Sequence, residues 1–202
     1  LPPHIRAARE VVGLFVFGHV GLSIGDFSAY SWAEGKLPEI SLPQVDYRTV
    51  IVGAMLPDIV DKPLGLWIAP DLVAHSLRSI AHSLLFDLLF LAIGGLVLVT
   101  RRSPRAMLLA LASSGHLVLD RMWNNPTILL WPIMGWEFAA EYPGFGEWAS
   151  GHLTDLLTFF TDFPELLGFL AIVGFTAHIL RPGNLRRFLA TGAAVSPPRV
   201  GR

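Results

Sequence analysis

Hydrophobic residues occur in this chain as a few long runs separated by polar or proline-rich stretches. The clearest run extends from Ile80 to Thr100 and is followed at once by arginines, a pattern typical of a membrane-spanning helix. Shorter runs at Val11–Gly25, Ala106–Trp123 and Glu165–Leu180 predict three further spans that extend into flanking residues. The pattern therefore predicts about four transmembrane helices.

The segments between these runs predict a short helix, a loop and an interfacial cap. Thr49–Leu56 is apolar but ends at Pro57, so it is shorter than the roughly 20 residues of a span and predicts a short re-entrant or buried helix. Asp26–Tyr47 predicts a loop, and the aromatic, Pro- and Gly-containing stretch Asn124–Ser150 predicts an interfacial cap. The expected fold is all-α: a polytopic membrane helical bundle, with one integral membrane domain over residues 1–190 and a loose tail over 191–202.

Basic residues cluster before the first run, between Thr100 and Ala106, and after the last run. Positive charge marks cytoplasmic loops, so four crossings place all three clusters and both termini in the cytoplasm. The Asp26–Tyr47 loop and the aromatic cap are then expected outside an inner or plasma membrane.

Composition narrows the class of protein. The 202 residues are 52% hydrophobic and only 15% charged, and the mean hydropathy is +0.53, which indicates a protein solvated by the lipid bilayer. A formal net charge of −1 gives no electrostatic case for nucleic acid. The chain has no cysteine, so any metal must be held by nitrogen and oxygen ligands.

Ionisable residues inside apolar segments are functional candidates because charge is costly in hydrocarbon. His116 and Asp120 are four residues apart and share a helix face, and the same spacing joins Arg78 to His82. The predicted topology brings these residues into the outer half of the membrane, where Asp and His ligands suit Zn²⁺ or Mn²⁺. The full candidate set is His19, Asp58, Asp61, Arg78, His82, His116 and Asp120.

Each of these residues also has an ordinary structural interpretation. His19 alone is as well explained by a hydrogen bond to a backbone carbonyl. Asp61 and Lys62 can form a surface pair, and Asp120 can pair with Arg121 at the interface. Asp87 lies on another part of its helix and has no partner that the sequence identifies.

Five ordered motifs resemble the YdjM-like membrane-bound metal-dependent hydrolases, which look distantly like zinc-dependent phospholipase C. They are His19, Gly53-Ala54-Met55-Leu56-Pro57-Asp58, Arg78-x-x-x-His82-Ser83, His116-x-x-x-Asp120 and Leu129-Leu130-Trp131-Pro132. The resemblance implies a metal cluster between helices, with Asp58, His82, His116 and Asp120 around one metal and His19 on the same or a second one. The family often has His directly before the Arg, where this chain has Leu77.

The sequence thus leads to the hypothesis of a metal-dependent hydrolase in which a metal-bound hydroxide attacks a phosphoester of a lipid-like substrate. Asp58 or Asp61, whichever is not a ligand, is the expected general base, and Arg78 is expected to hold a phosphate oxygen. Two alternatives remain open. One is a non-catalytic accessory subunit bound to other membrane proteins, and the other is a metal or proton transporter.

Overall fold

A computed structural model describes residues 16–34, 44–138, 145–146, 149–150, 153 and 162–194. Every regular element in these ranges is helical. The main helices are α1 (Val16–Glu34), α2 (Tyr47–Pro63), α3 (Leu84–Arg101), α4 (Arg105–Leu119), α5 (Pro126–Leu129), α6 (Phe163–Ile179) and α7 (Asn184–Thr191). A π-helical turn, Leu64–Ile68, follows α2, and a 3₁₀ turn, Met122–Asn124, precedes α5.

The long helices run between two ends of one bundle. The histidine end contains His19, His82 and His116, and the arginine end contains Arg101 and Arg105. α3 leaves the histidine end and α4 returns to it, with Asp87 bonded to Ser114 at 2.9 Å and Gly94 packed against Ala106 and Met107.

The other three long helices complete the bundle between the same two ends. α2 runs alongside α4 in the same direction, since Arg105 pairs with Asp46 at 3.2 Å and His116 contacts Ala54. α1 runs opposite to α2, because Ser28, in its second half, lies 3.2 Å from the hydroxyl of Tyr47 at the start of α2. α6 runs parallel to α1.

Two glycines allow α1 and α6 to cross at close range. A Cβ added at Gly21 would meet the backbone of Gly168, and one added at Gly168 would meet the backbone of Phe17 and Gly18. Small residues permit this backbone approach between membrane helices. Buried Glu165 then accepts a hydrogen bond of 2.9 Å from the Gly18 backbone N–H. This contact fixes the position of α1 along α6, and with it the position of His19.

Many large apolar side chains lie on the surface of the described bundle, and several ionisable side chains are buried inside it beside an apolar core. Leu72, Leu96 and Val99 are among many large apolar residues that are more than 60% exposed, whereas the histidines at positions 19, 82 and 116 are essentially inaccessible. This distribution fits a bundle whose surface contacts lipid and whose interior holds the polar chemistry.

Membrane crossing is clear by length and composition for one described helix, α3, in which only 11% of the apolar window is buried. α6 and α7 together satisfy the same criterion but are bent by 105°, and α4 is apolar but shorter. The four-span count therefore stays a prediction.

Three expectations about helix boundaries were wrong. α1 continues past Asp26, where a loop was expected, and ends at Glu34. The Ser31 hydroxyl in this extension donates a hydrogen bond of 3.0 Å to Phe27 O of the same helix, so it needs no other partner. α2 has 17 residues and passes through Pro57, which costs one backbone hydrogen bond but does not end a helix supported by its neighbours. Arg78 and His82 lie in irregular turns before α3 rather than on a helix.

The expectation that the loop before α2 lies at the opposite end from the Thr100–Ala106 basic cluster was also wrong. Asp46 accepts from the guanidinium of Arg48 and pairs with Arg105, so the end of this loop lies at the arginine end. The reason is that α2 traverses the whole bundle. Burial pushes the pKa of Asp46 up, but the hydrogen bond and charge of Arg48, together with Arg105, hold it below its usual value. The described chain thus begins at the histidine end and finishes at the arginine end, which does not fit the expectation that both termini lie on one side of the membrane.

Two predicted segments are only partly within the described ranges. Residues 124–138 of the cap lie at the histidine end, and most of 139–161, including His152, lies outside the described residues. The tail begins with packed residues: Tyr47 N–H donates to Gly192 O at 2.9 Å, and Ala193 and Ala194 are buried. Residues 195–202 lie outside the described part.

The position of the loop before α2 can be tested by cysteine labelling, because the chain has no cysteine of its own. We expect an impermeant external reagent to modify Asn124→Cys but not Ser103→Cys or Gln44→Cys in intact cells. Permeabilised cells are the control for reactivity. Labelling of Gln44→Cys from outside together with Asn124→Cys would contradict the arrangement of α1 and α2.

Candidate metal centre

The carboxylate of Asp61 organises the turn that precedes α3. It is fully buried and accepts backbone N–H bonds from Ser79 at 2.7 Å, Ala81 at 3.0 Å and His82 at 3.2 Å. The Nδ1 atom of His82 lies 2.7 Å from the same carboxylate. Both Asp61 oxygens already accept backbone N–H bonds and face His82 as acceptors, so His82 Nδ1 is the donor and its Nε2 carries a lone pair.

A different partner gives His116 the same tautomer. Its Nδ1 lies 2.7 Å from the carbonyl oxygen of Ala54 on α2. A carbonyl can only accept, so Nδ1 carries the hydrogen and Nε2 carries the lone pair. The two Nε2 atoms of His82 and His116 then face each other at 3.3 Å without a hydrogen between them.

Two carboxylate oxygens face the same pair of nitrogens. Asp58 Oδ1 lies 3.8 Å from each Nε2 atom, and Asp120 Oδ2 lies 3.7 Å from His82 Nε2 and 3.8 Å from His116 Nε2. Ligands of a tetrahedral zinc-like ion at about 2.0–2.2 Å lie roughly 3.3–3.6 Å apart. The ligand atoms of Asp58, His82 and His116 all lie close enough to hold one divalent cation, which would remove the repulsion between the two imidazole lone pairs.

His19 adds a further imidazole beside Asp120. Its Nε2 lies 3.0 Å from Asp120 Oδ1, but the two groups are not aligned as a hydrogen bond, and neither atom has a hydrogen-bond partner among the described residues. The imidazole also stacks on His116 with ring centroids 3.8 Å apart. His19, His116 and Asp120 therefore form a second group that can hold an ion, overlapping the group of Asp58, His82 and His116.

Two cationic side chains contact the carboxylates of the cluster from outside. Arg78 Nε donates to Asp120 Oδ2 at 2.9 Å, and Lys62 Nζ donates to Asp58 Oδ2 at 2.7 Å. The sequence suggests that Lys62 forms a surface pair with Asp61. It belongs instead with Asp58, and the i,i+4 spacing on one helix was the signal that could have identified it.

The structure thus brings together all seven candidate residues, although they have different neighbours. Asp58 and Asp120 each face the Nε2 atoms of His82 and His116, and His19 flanks Asp120. Asp61 supports His82, and Arg78 contacts Asp120. Arg121 is not bonded to Asp120, which removes that structural alternative. Asp87 is separate from the cluster and accepts a hydrogen bond from the Ser114 hydroxyl between α3 and α4.

The fold and the site define a class: a helical membrane protein whose interior holds a His/Asp cluster able to bind a metal ion. The chain belongs to the YdjM inner membrane protein family, whose family model matches residues 15–184. No curated protein and no solved structure matches the chain. The distant likeness to zinc-dependent phospholipase C has no counterpart in these comparisons.

Metal binding is the first property to test at this site. We expect purified protein to hold a divalent ion, and His82→Ala and Asp120→Asn to lose it while remaining helical and inserted. Asp87→Asn is the matched control, since it removes a buried carboxylate outside the cluster. Metal analysis with circular dichroism measures both quantities, and full metal content in the first two variants would contradict the ligand assignment.

Asp61 gives a second and separable test. In Asp61→Asn the amide nitrogen replaces one acceptor oxygen, which disturbs the tautomer of His82 and the turn from Ser79 to His82. Changes to such supporting groups typically weaken metal binding by about 10–100-fold. Titration with a competing chelator measures this loss. Unchanged metal affinity would show that Asp61 does not orient His82.

Proposed function

We propose that this protein is a membrane-embedded metal-dependent hydrolase that acts on a phosphoester of a lipid-like substrate. The observation that supports it is the pair of histidine Nε2 atoms facing two carboxylate oxygens inside an apolar bundle. Such an arrangement is costly unless a cation is bound, and membrane-buried ionisable groups are usually functional. A divalent ion, zinc or manganese, suits this set of donors.

The residues of the chain prepare the site before any substrate arrives. Ala54 O and Asp61 hold the two imidazoles with Nε2 directed at the cluster, which fixes the ligands in one geometry. When bound, a divalent ion in such a site activates water and stabilises charge on the attacked phosphoryl group. Arg78 is placed beside Asp120, where its guanidinium can meet a phosphate oxygen.

Asp61 acts in this proposal as a positioning residue. Its two oxygens receive three backbone N–H groups and the Nδ1–H of His82, and the side chain is fully buried. Both oxygens are thus already occupied as acceptors, and neither is free to take a proton from water. We therefore no longer assign Asp61 the general-base role expected from the sequence.

A lipid-like substrate is supported by the surface around the histidine end. Trp67, Ile68 and Leu72 follow α2 directly and are 59%, 72% and 74% exposed. Aromatic and aliphatic side chains at one end of a bundle are typical of the membrane interface. With arginines at the opposite end, we propose that the histidine end lies at the outer interface of an inner membrane crossed by at least four helices.

Turnover and metal content should be measured together on a panel of phosphoester lipids. We expect His82→Ala and Asp120→Asn to lose both, and Arg78→Ala to retain metal while losing most activity, because a guanidinium clamps phosphate but is not a ligand. His178→Ala, in which the lost imidazole contacts Ala194 O at the arginine end, is the matched control. Metal-loaded wild-type protein that hydrolyses none of the panel would favour the accessory-subunit alternative.

A further inference from the structure

Lys62 is the feature of the site that neither the motifs nor the metal-centre geometry explains. It lies in the last turn of α2, four residues after Asp58, and donates to Asp58 Oδ2 at 2.7 Å. The other oxygen of the same carboxylate faces His82 and His116. The ammonium is thus separated from the metal centre by a single carboxylate group.

Exposure increases outward along this part of the site. The side chains of His82 and His116 are fully buried, that of Asp58 is 9% exposed, that of Arg78 18% and that of Lys62 26%. Lys62 and Arg78 are therefore the polar groups of the site that an incoming molecule meets first. They approach from different segments, since one ends α2 and the other lies in the turn before α3.

The charge balance of the site favours an anion. With neutral imidazoles, the carboxylates of Asp58, Asp61 and Asp120 exceed the cations Lys62 and Arg78 by one negative charge. One divalent ion converts this to one positive charge. A group carrying a single negative charge, such as a phosphodiester, would neutralise the loaded site, whereas a neutral carboxylic ester would leave it charged.

We propose that Lys62, together with Arg78, forms an anion-binding entrance that selects a phosphate-bearing substrate for the metal centre. This inference rests on the proposed function, because the bound anion would be the substrate of the metal centre. Its test measures binding only. An ammonium has three N–H donors, and Asp58 uses one of them, so Lys62 can hold its ligand carboxylate and contact a phosphate oxygen together. Hydrogen bonds to charged groups contribute enough for roughly a tenfold or larger effect on affinity.

The test compares Lys62→Met, which preserves length and removes charge, with Lys62→Arg, which preserves charge. Zinc-loaded protein in detergent is titrated with inorganic phosphate and with short-chain phosphatidylglycerol by calorimetry. We expect Lys62→Met to lower affinity at least about tenfold while metal content is unchanged, and Lys62→Arg to restore most of it. Arg105→Met removes a cation from the arginine end and should leave affinity unchanged.

The two probes separate the source of the phosphate. A loss with the lipid probe identifies a lipid headgroup, and a loss with inorganic phosphate alone identifies free phosphate. Equal affinity of wild type and Lys62→Met for both probes overturns the inference, as does a wild type that binds neither. Binding that depends on Lys62 without any hydrolysis would instead reject the proposed function and leave the anion site standing.

Discussion

The buried carboxylate of Asp61 is the interaction on which the metal centre depends. It converts an irregular segment into a defined turn by accepting three backbone N–H bonds, and the same oxygens orient His82. A loop without helix or sheet bonds needs such a partner when it is buried, because its amides cannot reach water. One side chain thereby satisfies the backbone and sets the direction of a metal ligand.

The sequence identified the residues that cluster in the structure better than the contacts that support them. Asp58, His82, His116 and Asp120 could be identified because polar residues in apolar segments are conspicuous, and their order matched a known family. The roles of Ala54 and Asp61 could not, since a carbonyl contact and a carboxylate that collects backbone amides leave no pattern in side-chain spacing. The i,i+4 spacing of Arg78 and His82 suggested a helix. Such spacing shows only which residues would share a face if a helix formed, and the segment is an irregular turn.

The errors in fold have a common physical origin. Hydropathy identifies helices that face lipid, such as α3, but α1 and α2 bury polar side chains against neighbouring helices and are less apolar. Pro57 suggested a break, although the surrounding helices support α2 through it, and α1 likewise continues past Asp26 to Glu34. Counting apolar residues therefore shortened these helices and misplaced the loop between them.

The close crossing of α1 with α6 has a consequence for biosynthesis. His19 is contributed by the first helix of the described chain, yet its helix is fixed in place by Glu165 and Gly168 of a helix that is translated almost 150 residues later. α6 must therefore be inserted before the position of α1, and with it His19, is fixed. Chains that stall before α6 would lack this support for one imidazole of the cluster.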